Sequence, residues 1–137
     1  MSTPYTGGCA CGAIRYEISC EPLVMTDCQC RDCQRESGTG HGSHLTFPRT
    51  GVTVTGEATH WDMVGDSGRA KTRAFCPTCG SPVYMTVAMA PDVFIVRAAS
   101  LDDPSRYKPQ MVFYTSRGHE WDRIDRDLPA FERMPPM

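Results

Sequence analysis

Apolar and polar residues alternate with a period of two along most of this chain. Ile14, Tyr16, Ile18 and Cys20 alternate with Ala13, Arg15, Glu17 and Ser19, the pattern of a half-buried strand. That register places Cys20 on the apolar face, where a thiol behaves as a small hydrophobe. Residues 23–26 predict a second strand running into a cysteine cluster, and residues 31–36 a short helical turn ended by Gly38. Strands are expected at 44–47 and 52–55, with Pro48, Arg49, Thr50 and Gly51 between them as a hairpin signal. Further strands follow at 59–64, 70–75, 82–87, 93–98 and 111–115. The tail, 122–137, is charged and proline-rich, and reads as irregular chain tied down by Leu128 and Phe131. No segment sustains a helical apolar stripe for three turns, so the fold class is mainly β with little helix.

The 137 residues suit one domain, 1–137, with a modest core. Glycines and prolines fall singly between short apolar runs, without an internal repeat of architecture. A net charge of −2 argues against a nucleic-acid surface, which carries a basic stripe. Arg31, Arg35, Arg69, Lys71 and Arg73 nevertheless cluster locally, which suits a small anionic ligand. No apolar run approaches the ~20 residues of a membrane span. The opening MSTPYTGG lacks the basic and apolar regions of a signal peptide, so the expected compartment is the reducing cytoplasm.

That expectation decides how the eight cysteines are read. Seven fall into three clusters: Cys9 and Cys11; Cys28, Cys30 and Cys33; Cys76 and Cys79. Disulfides are rare in a reducing compartment and strained between cysteines one residue apart, whereas thiolates so placed converge readily on one ion. The two outlying pairs can close a four-thiolate zinc site. Gly12 and Gly80, each after a pair, let the backbone turn so that amides face the sulfurs, and Pro77 stiffens the second turn. The central trio can hold a second zinc with one position open, as catalytic sites do. His41, His44 and His60 are candidates to fill that position and make the site structural instead. Four-cysteine iron–sulfur ligation is disfavoured, because the trio lacks a fourth cysteine.

The runs GGCACGAIRYE (7–17), CQCRDCQRESG (28–38) and RAFCPTCGSPVY (73–84) together resemble the glutathione-dependent formaldehyde-activating enzyme family, which includes centromere protein V. The similarity extends over nearly the whole chain, through SLDDPSRYKPQ and LPAFERMP. It implies a zinc-stapled, tent-like stack of antiparallel sheets. Cys9, Cys11, Cys76 and Cys79 would hold the structural zinc, and Cys28, Cys30 and Cys33 the functional one. Gln29 stands where the family often has histidine.

Three thiolates leave a bound Zn²⁺ with one net negative charge, so it is a blunted Lewis acid and a poor generator of hydroxide. A soft thiol is its natural fourth ligand, held there as thiolate. With the resemblance, this implies a zinc-dependent carbon–sulfur lyase or synthase handling glutathione, or a related thiol, and a small aldehyde such as formaldehyde. Arg31 and Arg35, beside the ligands, are the expected anchors for the thiol's carboxylates. Two readings compete with this one. A non-catalytic zinc module for protein interaction would have the same fold, and a redox sensor would lose zinc when the trio oxidises.

Overall fold

Two largely antiparallel sheets pack around one main apolar core. A computed structural model of the chain describes residues 3–135. In chain order the elements are β1 (Tyr5–Gly8), β2 (Arg15–Ile18), β3 (Val24–Cys28), α1 (Arg31–Ser37), β4 (Gly42–Pro48), β5 (Val52–Thr55), β6 (Thr59–Val64), β7 (Ala70–Phe75), β8 (Pro82–Val87), β9 (Ala90–Arg97) and β10 (Met111–Phe113). The smaller sheet runs β1-β2-β5 and the larger β10-β3-β4-β9-β8-β7-β6. The exception to antiparallel pairing is β10, which lies parallel to β3 after a long connection.

The expected hairpin across residues 48–51 does not form. Arg49–Gly51 is a 3₁₀ turn that carries the chain from one sheet to the other, so β4 pairs with β3 and β9 while β5 pairs with β2. Burial explains this choice. Val52 and Val54 pack on the core from the small sheet, a placement that a hairpin with β4 would forfeit.

Alternation along the strands gives the larger sheet two different faces. Leu45 and Phe47 of β4, with Phe94 and Val96 of β9, pack against Tyr16 and Ile18 of the small sheet. Phe47, Leu45 and Ile18 are fully buried, and each such side chain contributes about 1.5–3 kcal/mol. The opposite face carries His44, directly across from Arg97, and Arg73, directly across from Met85. Helix α1 covers part of this second face.

Strand β2 is shorter than its alternating pattern. Cys20 lies just past its end, half-buried against the core, with its sulfur 3.7 Å from the Pro48 carbonyl oxygen. The tail is tied as expected at Phe131, whose amide donates to the Val112 carbonyl at 2.9 Å and whose ring meets Phe113 edge-on. Among the described residues no helix is long and apolar enough to cross a membrane.

Candidate metal centres and the cavity beside them

The first cluster joins the two sheets. Cys9 and Cys11 follow β1 of the small sheet, and Cys76 and Cys79 follow β7 of the large one. All four sulfurs lie within 4.8 Å of one another. Cys11 is 3.6 Å from both Cys9 and Cys76, close to the ~3.8 Å edge of a tetrahedron with 2.3 Å zinc–sulfur bonds. Gly12 and Gly80 both take positive φ, at 82° and 76°. The turns aim amides inward: Ile14 N–H donates to Cys9 Sγ at 3.3 Å, and Thr78 N–H to Cys76 Sγ at 3.4 Å. The Ile14 amide lowers the Cys9 thiol, and the Ser81 hydroxyl and amide draw Cys79 down to about 5. This donor set can hold a metal ion.

The second cluster is local in sequence and buried in space. Strand β3 delivers Cys28, Cys30 forms the N-cap of α1, and Cys33 lies in its first turn. The Cys33 amide donates to Cys30 Sγ at 3.3 Å. Gly42, opposite Cys28, has no room for a side chain, because a Cβ there would meet His44 Nε2 at 2.6 Å and Cys33 Cβ at 3.1 Å. The three sulfurs lie within 4.8 Å of one another and are almost wholly excluded from solvent. Three such thiols cannot all ionise unaided. Hydrogen bonds from Cys28 and Cys33 draw Cys30 down to about 2, Cys30 pushes Cys28 up to about 12, and both neighbours drive Cys33 upward. A cation bound to all three removes that conflict, so the trio also fits a metal.

A cavity of about 180 Å³ opens on Cys28 and Cys33. Its walls include His44, Arg69 and Lys71 together with apolar side chains of β8 and β9. His44 Nε2 lies 3.8 Å from Cys33 Sγ but outside the converging group of three sulfurs. Burial holds its imidazole neutral, reinforced by Arg97 and Lys71. Tyr114, with φ 59°, Phe113 and Met134 pack against the trio from the last third of the chain.

Residues 4–117 match the model of the glutathione-dependent formaldehyde-activating enzyme family. The chain belongs to this family. A Rhodobacter sphaeroides protein of known crystal structure has a similar fold. Its TM-score is 0.56 at 24% identity, covering 71% of this chain and 87% of the other.

The remaining candidate residues of this family member fall at different distances from the trio. Arg31 and Arg35 are exposed on the outer side of α1. Arg35 lines a separate groove with Trp61 and His60, and neither arginine lines the trio's cavity. His60 sits on the edge strand β6, 3.3 Å from the Tyr84 hydroxyl. His41 is engaged on the other side of β3 and β4, its Nδ1 2.8 Å from Asp122, whose carboxylate also accepts from Gln29 Nε2 at 3.1 Å.

A buried ion-pair triad beneath α1 was not legible in the sequence. Glu36 bonds Arg97 and lies 3.3 Å from Arg73 Nε. Arg97 Nε and Nη1 are buried without hydrogen-bond partners. The triad therefore adds one net positive charge to the face that holds the thiolates.

Proposed function

We propose that this protein is a zinc-dependent carbon–sulfur lyase or synthase acting on the adduct of a thiol, glutathione or a relative, with a small aldehyde. In this reading residues 1–137 work as one domain in a reducing compartment. Cys9, Cys11, Cys76 and Cys79 hold a structural zinc, and Cys28, Cys30 and Cys33 hold a functional one. The observation that carries the proposal is the buried trio of sulfurs opening on a cavity with two cations and a neutral imidazole, in a member of this family.

A zinc bound by the trio supplies a soft position where a substrate thiol is held as thiolate at neutral pH. The surrounding chain does the rest. Lys71 and Arg69 attract a carboxylate of the thiol, where Arg31 and Arg35 are too far out on α1 to line the cavity. The apolar walls exclude water, which strengthens those charge contacts and protects the adduct. In the synthetic direction the thiol sulfur bonds to the aldehyde carbon, and the carbonyl π pair becomes an alkoxide lone pair. That oxygen takes the proton the thiol has lost, and the lyase direction reverses each change. The neutral imidazole of His44, on the cavity wall, offers that oxygen a hydrogen bond without itself becoming charged.

Cobalt substitution tests the open position, because each added sulfur ligand strengthens the ion's charge-transfer absorption. Glutathione is expected to raise that absorption and S-methylglutathione to leave it unchanged, since a thioether is a far weaker ligand than a thiolate. Identical spectra with both compounds would refute the proposal.

A further inference from the structure

The walls of the trio's cavity are more apolar than formaldehyde chemistry requires. Met85 and Ile95 face each other across β8 and β9, and Val87, Val93 and Phe113 extend this apolar wall, with Thr26, Thr46 and Ser67 as the hydroxyl-bearing residues of the lining. The one-carbon arm of a formaldehyde adduct offers these side chains little to bury. Across β7 and β8, Val87 is paired directly with Lys71, so an apolar wall and a cation stand side by side. The volume is about 180 Å³, and apolar cavities of roughly 150 Å³ accept a benzene ring.

We propose that this cavity recognises a ligand in which a phenyl or branched alkyl arm lies next to a carboxylate. The arm packs on Val87, Val93 and Ile95 while the carboxylate pairs with Lys71 and Arg69. The inference builds on the thiol-adduct function, and there it means that the aldehyde portion accepted here is larger than formaldehyde. Each methylene buried should tighten binding about fourfold.

The test separates the arm from the thiol by using a probe without sulfur. Zinc-loaded protein is titrated by calorimetry with 3-phenylpropionate and with propionate. The phenyl compound is expected to bind at least tenfold more tightly, from several methylene equivalents of buried surface less imperfect fit. Ala90→Leu, on the cavity wall, should fill the space and abolish that preference. Val93→Thr keeps the side chain's shape but adds a hydroxyl, and should reduce it severalfold. Lys71→Ala should weaken both compounds. Melting temperatures of the three variants confirm folding before the comparison is made. Equal affinity for the two carboxylates, or a preference that survives both wall substitutions in folded protein, overturns the proposal. The cobalt experiment fails or succeeds separately. A phenyl preference without any thiol response would keep the arm site and remove the thiol chemistry. A thiol response without a phenyl preference would do the reverse.

Discussion

The two cysteine clusters invert the usual association between structure and burial. The four-thiolate cluster lies at a sheet junction with Cys11 and Cys79 exposed, while the three-thiolate cluster is buried beneath α1 and the tail. What separates them is what each one ties together. The first joins residues from two sheets through paired turns and needs little around it. The second comes from one continuous segment, β3 into α1, so closing it adds few long-range constraints to the fold. Its surroundings are a neutral imidazole, two cations and an apolar wall, the setting on which the proposed ligand role rests. If the proposed roles hold, a cluster that staples can sit in the open, whereas one that handles a ligand benefits from a sheltered cavity.

The sharpest way to break this contrast is to remove a ligand from each cluster. Cys9→Ser or Cys76→Ser should unfold or aggregate the protein, because the binding free energy of a structural zinc, roughly 10–16 kcal/mol in finger peptides, is folding free energy. That exceeds or matches the ~5–15 kcal/mol of a typical domain. Cys30→Ser should stay folded by circular dichroism and lose about one of two zinc ions by elemental analysis. The contrast collapses if the Cys30 variant is the less stable of the two.

A smaller effect is expected beneath α1. Glu36→Ala leaves two buried guanidiniums without their shared carboxylate and should cost about 3–5 kcal/mol, read as a lower urea midpoint. An unchanged midpoint would mean that Arg73 and Arg97 reach solvent when released. The smallest difference concerns the two pairs of cations. Lys71→Ala with Arg69→Ala should weaken the cobalt response to glutathione by tenfold or more, at ~1.5 kcal/mol for each charged hydrogen bond lost. Arg31→Ala with Arg35→Ala should leave it within about twofold. The opposite ranking would move ligand binding to the outer side of the helix.

Both clusters were legible in the sequence because sulfurs that share an ion must sit close, and short spacing achieves this with local turns. The strands were legible from alternation, with 59–64, 70–75 and 82–87 found at their expected limits. Strand β1 has no signature in the sequence, because two of its four residues are glycines and it has little apolar pattern. The pairing of β4 and β5 departs from the hairpin expectation because the P-R-T-G turn is a local signal, while partner choice depends on which core each valine joins. Helix periodicity accounts for the placement of Arg31 and Arg35. At i and i+4 they share one face of α1, whereas buried Cys33 lies between them on another. Arg69 and Lys71 reach the cavity because β7 lies beside β8 in the large sheet, with Lys71 directly across from Val87, a juxtaposition made by strand order rather than by proximity in the chain.

The parallel strand β10 gives the buried cluster a history during synthesis. Cys79 completes the four-thiolate set well before Phe113, Tyr114 and Met134 exist to cover the trio. At about 5–20 residues per second, the roughly fifty intervening residues occupy a nascent chain for several seconds. Through that interval Cys28, Cys30 and Cys33 are joined by one short segment but lack part of their shelter, open to oxidants and to whichever soft metal arrives first. A metal captured by the trio at that stage would be chosen by what the nascent chain meets as well as by the preferences of the finished site.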